Sequence, residues 1–240
     1  MSGSSSLTTV QPGKLRIIAS DFDARPMSYL DEEGRRLGYE PAAAEAICKK
    51  LGLEPVWYNF SPSEFYTQLS SGAYDVVWFS QPITQTKRAW ADFTRAYGRF
   101  DVAVLVRDES AIATVEDLKS VRLGASTHGI ELDLINQLPD LEIVEFSGGS
   151  QILPDMIKAV QSKVIDAVLD NALLLLAAES MDQDLRVAFE IPTQIPFGVG
   201  VVPGNRELLD ALNFGFNQLI AEGTLAKLWA RWIPYKPCPF

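Results

Sequence analysis

Short apolar runs alternate with helix-like stretches along the first part of this 240-residue chain. Apolar runs bounded by polar residues are typical of buried strands, and they occur at Lys14–Ser20, Val56–Asn59 and Val76–Phe79. Two longer segments with helix-start and helix-end residues separate these runs, at Pro41–Lys50 and Ser63–Ser71. The alternation of strand and helix predicts a mostly parallel sheet covered by helices.

The same alternation restarts after about residue 107, beyond an apolar strand at Asp101–Val106 and a capping box at Thr114–Asp117. The further strands are expected at Arg122–Ala125, Glu142–Phe146, Ala167–Leu169 and Gly198–Val202. The further helices are expected at Glu131–Gln137, Leu153–Ser162, from Ala172, at Arg206–Ala221 and after a capping Thr224. The pattern therefore predicts two α/β units, one on each side of about residue 107.

The segment Tyr74–Thr94 combines several structural signals. Pro82 cannot donate to a central ladder and is expected to close the strand that begins at Val76. Thr84 can then cap a short basic helix that carries Lys87 and Arg88. A strand end followed by a polar loop and a helix start with cations predicts an anion-binding corner.

This segment resembles the "YDV…ITxxR…DFS" region of the bacterial extracellular solute-binding proteins that serve polar amino-acid ABC transporters. Four more segments are similar to the family's, in the same order along nearly the whole chain. They are Gly38–Ile47, similar to "GFDVDLAEAI", Ala113–Lys119, similar to "IxSLDDLKG", Val164–Leu169, similar to "RVDAVV", and Glu222–Trp229, similar to "DGTYDKIxxKW".

The resemblance implies an α/β fold of the two-lobed, type II periplasmic-binding-protein clamshell. The expected division is a flexible leader at 1–13, lobe 1 at 14–105 plus 199–240, and lobe 2 at 106–198. Two crossover strands, about Val102–Val106 and Gly198–Val202, would form the hinge. Such a protein is a monomer outside the cytoplasm that needs no cofactor or metal, and it passes a small-molecule ligand to an ABC transporter permease.

The residues that would read an amino-acid ligand depart from the family's pattern. The family's arginine in "ITxxR" corresponds to Lys87, which keeps the charge but loses the bidentate fork. A hydroxyl residue corresponds to Pro82, and the preceding glycine to Ser80. The acid after "DAVV" corresponds to Asn171, with Asp170 one place early. We therefore expect a small polar ligand, anionic or amino-acid-like, rather than a standard zwitterionic amino acid.

Further candidates come from the loops that follow strands. Asp21 is retained, and the family's aromatic in the first loop corresponds to Ala24 or Arg25. Trp78 and Phe79 point to opposite faces of their strand, so one of them is expected nearer the ligand. The candidate ligand-binding residues are Asp21, Arg25, Trp78, Phe79, Ser80, Lys87, Thr127, His128, Asp170 and Asn171. Each also has an ordinary structural explanation, such as solvation for Lys87, an N-cap for Asn171 and an Asx-turn for Asp21.

Composition excludes several classes of function. A formal net charge of -10 disfavours nucleic-acid binding, and no apolar run is long enough to span a membrane. The first residues lack the basic start and apolar stretch of a signal peptide, as expected if a natural signal has been removed. Two cysteines, Cys48 and Cys238, form no metal pattern and leave both a disulfide and two free thiols open.

No nucleophile elbow, zinc motif, P-loop or dinucleotide fingerprint is present, so we expect a binding protein and no catalytic residues. Two alternatives share the fold. One is the ligand-sensing domain of a membrane receptor. The other is a lyase similar to cyclohexadienyl dehydratases, in which Lys87 acts with Asp170, Asp21 or Glu131 as general acid.

Overall fold

The computed structural model describes residues 7–126, 141–147 and 151–240, and this part of the chain divides into two compact units. Unit 1 consists of the described residues up to Asp21, of Leu30–Arg99 and of Pro196–Phe240, and unit 2 of Phe22–Tyr29 and Phe100–Ile195. The lobe boundaries expected from the sequence, after residue 105 and before residue 199, lie a few residues C-terminal to these boundaries. The expected division also lacked the excursion of Phe22–Tyr29 into unit 2, because a short loop has no periodicity to assign it.

The strands and helices follow the alternating pattern of the sequence. The strands are β1 Lys14–Ala19, β2 Tyr29–Leu30, β3 Arg36–Leu37, β4 Glu54–Asn59, β5 Val76–Pro82, β6 Asp92–Phe93, β7 Gly98–Arg107, β8 Arg122–Ser126, β9 Glu142–Phe146, β10 Ala167–Asn171 and β11 Leu185–Val201. The helices are α1 Tyr39–Leu51, α2 Phe65–Ser70, α3 Ile152–Gln161, α4 Ala172–Met181, α5 Arg206–Ala221 and α6 Thr224–Trp232.

Unit 1 contains a sheet in which the three neighbouring strands β4, β1 and β5 are parallel. β1 lies between β4 and β5, with Ile17 opposite Trp57 on one side and Val76 on the other. The last residues of β11 pair antiparallel with β5 and with β6. Because parallel strands end at the same edge of a sheet, the segments after Ala19, Asn59 and Pro82 emerge on one side of unit 1.

An aromatic cluster fills the helix-covered side of unit 1, where α1 packs on α5 and α6. The ring of Trp78 lies 5.8 Å from Tyr97 and 5.7 Å from Phe216, and Tyr39 packs edge-on against Trp229 at 5.2 Å. All five side chains are buried. Buried aromatic rings of this size supply much of the apolar area that stabilises a domain.

Gly98 and Phe197 make the closest approach in this cluster. The Phe197 ring is fully buried and packs edge-on against Tyr97 at 4.8 Å. A β-carbon added to Gly98 would overlap the Phe197 ring, so only glycine leaves room for this aromatic side chain.

Unit 2 is built on a sheet with the order β11, β7, β10, β8, β9, to which β7 and β11 contribute their unit 2 residues. β7 runs antiparallel to β10, with Val104 opposite Leu169, and β8 runs parallel to both β10 and β9. Helices α3 and α4 pack on this sheet. Its buried apolar core includes Val102, Val104, Val106, Leu123, Ala167 and Leu169.

Most predicted elements are present within one to three residues of their expected bounds, and the capping box of Thr114 and Asp117 is formed. The main error is β11, which begins at Leu185 rather than Gly198. The part of β11 before Gly198 carries Pro192 and Pro196, which disfavour a strand assignment, and it is mostly only half-buried. The helix expected at Glu131–Gln137 lies outside the described residues.

Two smaller expectations are corrected. The basic helix at Lys87 is a single 3-10 turn of Lys87–Ala89, too short to act as a helix N-terminus for an anion. The cap of α6 is Gly223, in the left-handed conformation, and Thr224 is the first residue of the helix. Cys48 and Cys238 are both free thiols, which resolves the alternative that the sequence left open.

Candidate functional site

Polar side chains gather where the parallel strands of unit 1 end. Arg36 donates through Nη2 to the Ser20 carbonyl at 2.9 Å and to the Asn59 side-chain oxygen. It thereby ties the end of β1 to the end of β4, and its guanidinium lies 5.2 Å from the Trp57 ring. The carboxyl ends of parallel strands are where open α/β sheets bind ligands.

Burial lowers the pKa of Arg36, and the charges of Glu40 and Asp21 oppose that shift. The guanidinium stays charged, because an arginine pKa starts far above neutral pH. Arg36 is therefore a fixed cation at this edge, beside Asp21. The sequence reading did not single it out, because Arg36 precedes a helix in a segment with no ligand motif.

Gln81, near the end of β5, holds the candidate cation Lys87. The Gln81 Oε1 atom accepts from the Tyr66 hydroxyl at 2.8 Å and from Lys87 Nζ at 3.2 Å. The Gln81 Nε2 atom donates to the Phe79 carbonyl at 2.7 Å, which fixes the orientation of the amide. The Lys87 backbone N–H donates to Thr84 Oγ1 at 3.2 Å, so the predicted Thr84 contact is present although the helix is not.

Gln81 and Tyr66 were both missed by the sequence reading. Gln81 is buried, and a buried amide is retained only when its polar atoms are paired, as they are here. The sequence does contain one signal for Gln81, which is its position directly before Pro82 at the end of a buried strand. Glutamine is mostly exposed in proteins, so a glutamine at such a position indicates that its amide has hydrogen-bond partners.

Ser80 is held in a left-handed conformation, with φ of 43°. Its N–H donates to Glu40 Oε1 at 2.6 Å, and the Tyr97 hydroxyl donates to the same oxygen. Glu40 is fully buried, and Glu40 Oε2 has no hydrogen-bond partner in the described part of the chain. Burial raises the pKa of Glu40 to about 7, against the hydrogen bonds from Tyr97 and Ser80.

The two aromatic candidates differ in burial. Trp78 is fully buried in the unit 1 core, whereas Phe79 is partly exposed and packs edge-on against Phe65 at 6.0 Å. Of the pair, only Phe79 retains surface that a ligand could reach.

In unit 2, Asp170 and Asn171 end β10. Asp170 Oδ1 accepts from the Asn171 N–H at 2.6 Å, and burial raises the pKa of Asp170 to about 6 although part of its side chain meets solvent. The Asn171 side chain accepts from the Leu173 N–H at 2.9 Å and so caps α4. Asp170 is the titratable member of this pair, and Asn171 has a defined structural role.

Replacing Asn171 by alanine is expected to lower the free energy of unfolding by about 1 kcal/mol, because α4 loses its cap. Asn171→Ser, which restores a side-chain oxygen at the cap, is the matched control and is expected to recover most of that loss. Urea denaturation of the three proteins measures both values. An equal loss in both variants would contradict the capping role.

Arg25 lies in the short segment of unit 2 before β2. Its Nε atom lies 3.2 Å from Asp23 Oδ1, and its guanidinium lies 4.4 Å from the centroid of the Tyr29 ring. These contacts orient Arg25 while leaving nearly half of its side chain exposed. Thr127 and His128 lie outside the described residues.

The candidate residues thus fall into two groups. Unit 1 brings Asp21, Ser80 and Lys87 to the carboxyl edge of its parallel strands, together with Arg36 and Gln81. Unit 2 holds Arg25, Asp170 and Asn171. No cluster of three or more metal-ligating side chains occurs among residues 7–126, 141–147 and 151–240. Over the same residues, no helix is long and apolar enough to cross a membrane.

The α/β units and their crossovers define the class of two-lobed periplasmic binding proteins. A solved ancestral arginine-binding protein bound to arginine matches with a TM-score of 0.80 and 25% identity, over 92% of this chain and 98% of that one. An ancestral amino acid-binding protein described as a precursor of cyclohexadienyl dehydratase gives the same TM-score and identity, over 92% and 95%.

Sequence comparison identifies the family. Residues 17–235 match the bacterial extracellular solute-binding proteins, family 3, and the chain belongs to that family. An amino-acid-binding protein, AabA, of Dichelobacter nodosus is 25% identical over 230 residues, which are 91% of this chain and 88% of the relative. These relatives are binding proteins by name, in agreement with the expected class.

Proposed function

We propose that this protein is the extracytoplasmic solute receptor of an ABC transporter and captures a small polar ligand that carries a carboxylate. The observation that carries the proposal is the Lys87 ammonium held on Gln81 Oε1 at the carboxyl edge of the unit 1 strands. The family supports the receptor role, and the names of the arginine-binding and amino-acid-binding relatives support an amino-acid-like ligand.

Lys87 suits a carboxylate because Gln81 Oε1 positions the ammonium, which has three N–H donors and can also donate to a ligand oxygen. Lysine gives a point charge with rotatable donors, whereas arginine would give a planar fork that selects one carboxylate geometry. We infer that Lys87 accepts a wider set of carboxylates than the family's arginine does. The fixed guanidinium of Arg36 at the same edge adds to the attraction for anions.

Asp170 would serve a ligand that also carries an amine. With a pKa raised to about 6, it is mostly ionised at neutral pH and becomes protonated as the pH falls below 6. A cationic ligand group would therefore lose its partner in acid, whereas binding of a purely anionic ligand would not depend on Asp170. The pH dependence of affinity between pH 5 and pH 7.5 separates these two ligand types.

The first experiment is a thermal-shift screen against amino acids, organic acids, amines and small sugars. A ligand at about a hundred times its dissociation constant stabilises a protein by about 2.7 kcal/mol, which raises the melting temperature measurably. Carboxylates, with or without an amine, are expected to shift the transition. A hit confined to sugars or to amines without a carboxylate would contradict the proposal.

Lys87→Ala is expected to weaken the binding of the best carboxylate by about 10- to 100-fold, because a charge-assisted hydrogen bond is lost. Arg88→Ala is the matched control: Arg88 is the next residue, it is exposed, and its side chain forms no hydrogen bond or ion pair within the described part of the chain. It is expected to change affinity less than about twofold. Isothermal titration measures both. Equal affinities in Lys87→Ala and the unmodified protein would exclude Lys87 from the site.

A further inference from the structure

A second polar pocket lies in unit 1. It is lined by Arg95, Ala96, Gly98, Arg99, Asn213, Asn217, Pro239 and Phe240. Its volume of about 520 Å³ falls in the range of sites for small organic molecules. None of these residues belongs to the proposed solute site, and none of them is acidic.

The hydrogen bonds inside this pocket engage the side-chain oxygens of its two asparagines as acceptors, whereas the side-chain N–H donors of these asparagines form no hydrogen bond with the described residues. Asn213 Oδ1 accepts from the Arg95 N–H at 2.7 Å, and Asn217 Oδ1 accepts from Arg95 Nη1. The two asparagines are one helical turn apart on α5, so both amides face the segment that carries Arg95. Neither amide NH₂ group forms a hydrogen bond within the described part of the chain, so each remains available as a donor.

The two arginines add charge to this set of donors. Arg95 and Arg99 are exposed, and neither forms an ion pair within the described part of the chain. Arg95 is oriented only by neutral amides. The pocket thus brings together two guanidinium groups and no acidic side chain, although the formal net charge of the protein is -10.

We propose that this pocket binds a small multivalent organic anion, of the di- or tricarboxylate or phosphate type, independently of the transported solute. Guanidinium groups and amide NH₂ donors are the groups that bind carboxylate and phosphate oxygens in pairs. Pro239 and Phe240 supply an apolar wall, so the volume suits an organic anion better than a lone halide.

The concave shape favours a small molecule over a protein partner, because protein interfaces of comparable strength need a much larger and flatter area. Carboxylates and phosphates present similar oxygen acceptors to the pocket. Citrate and inorganic phosphate, used as separate probes, distinguish these two ligand types. A six-residue glutamate peptide represents the acidic protein segment that the pocket is not expected to prefer.

The test is isothermal titration with citrate and with phosphate, at constant ionic strength, of the full chain carrying Lys87→Ala, because that substitution weakens the proposed solute site, which also takes carboxylates. We expect saturable binding of citrate at one site, with a dissociation constant below about 1 mM, and weaker binding of phosphate. Arg95→Ala and Arg99→Ala are each expected to weaken citrate binding at least about tenfold. Asn217→Asp, which places a carboxylate in the pocket, is expected to abolish it.

Arg206→Ala is the matched control, since it removes one exposed arginine from the start of the same helix, α5, outside the pocket. Citrate affinity is expected to stay within about twofold in that variant. Four outcomes would overturn the proposal. They are no saturable heat, an equal loss in Arg206→Ala, unchanged affinity in both Arg95→Ala and Arg99→Ala, and tighter binding of the glutamate peptide than of citrate.

Discussion

Glu40→Ala is expected to lower the free energy of unfolding by about 3–5 kcal/mol. The substitution removes the acceptor of the Ser80 N–H and of the Tyr97 hydroxyl, both of which are directed at Glu40 Oε1. A buried donor without an acceptor costs about 1–3 kcal/mol, and the space left by the side chain adds to the cost. Guanidinium chloride denaturation of the variant and the unmodified protein measures the difference.

The conservative control is Glu40→Gln. Its amide oxygen can accept both hydrogen bonds, and its NH₂ group replaces Oε2, which has no hydrogen-bond partner in the described part of the chain. At acid pH, where Glu40 is itself neutral, the glutamine variant is expected to lie within about 1 kcal/mol of the unmodified protein. If alanine and glutamine were equally harmful, the hydrogen bonds would not be the cause.

The free energy of unfolding is also expected to depend on pH, because Glu40 titrates in the unmodified protein. In the folded state burial raises the pKa of Glu40 from 4.5 to about 7, so the folded state holds this proton more tightly than the unfolded chain. The stability that protonated Glu40 contributes is therefore complete below about pH 4.5 and is lost as the pH rises to about 7. At about 1.4 kcal/mol per pH unit, the loss is about 3 kcal/mol.

Glu40→Gln has no proton to lose at this position. The free energy of unfolding of the unmodified protein, relative to this variant, is thus expected to fall by about 3 kcal/mol between pH 4 and pH 8. Denaturation curves at pH 4, 6 and 8 test it. Two stability profiles that stay parallel over this range would show that Glu40 is not titrating in the folded state.

Gly98→Ala is expected to cost about 3 kcal/mol, at the upper end of what one added methyl group does in a packed interior. The new β-carbon would overlap the fully buried Phe197 ring, and Tyr97 packs edge-on against that ring at 4.8 Å. Relief therefore requires movement of the aromatic cluster or of the β-strand backbone. Thermal and urea denaturation of the purified variant measure the loss.

Gly200→Ala on β11 is the matched control. A β-carbon there would lie 3.3 Å from Ala91 Cβ and 3.6 Å from the Phe93 ring, which small shifts can relieve. Its cost is expected to stay below about 1 kcal/mol. The double substitution Gly98→Ala with Phe197→Leu is expected to recover part of the loss by shrinking the opposing side chain. No recovery would point to backbone strain at Gly98 instead.

Periodicity and the resemblance predicted the fold well, because each of those signals is local. Apolar runs in the sequence predict most of the longer strands of both units. The amphipathic pattern also predicts both end residues of α5, Arg206 and Ala221. The first half of β11 could not be predicted in this way. The segment of β11 before Gly198 is interrupted by two prolines, and no local pattern encodes which strands it pairs with in the sheet.

The candidate site was predictable only where a residue sits inside a recognisable motif. Lys87 and Asp170 could be named as candidates because they fall at or beside motif positions. Arg36 and Glu40 were missed, because their roles depend on contacts with Ser20 and Ser80, which are distant in the sequence. No local pattern encodes which strand end a side chain will reach after the sheet has formed.

The two free cysteines are expected to differ in their reactivity toward thiol reagents. Burial raises the pKa of Cys48 to about 12, so almost none of this thiol is ionised at neutral pH, and α1 shields it from reagents. Cys238 is partly exposed and directly precedes the Pro239–Phe240 wall of the second pocket. A maleimide fluorophore would therefore attach selectively at Cys238 and place an environment-sensitive dye beside the arginine pair, without any engineered residue.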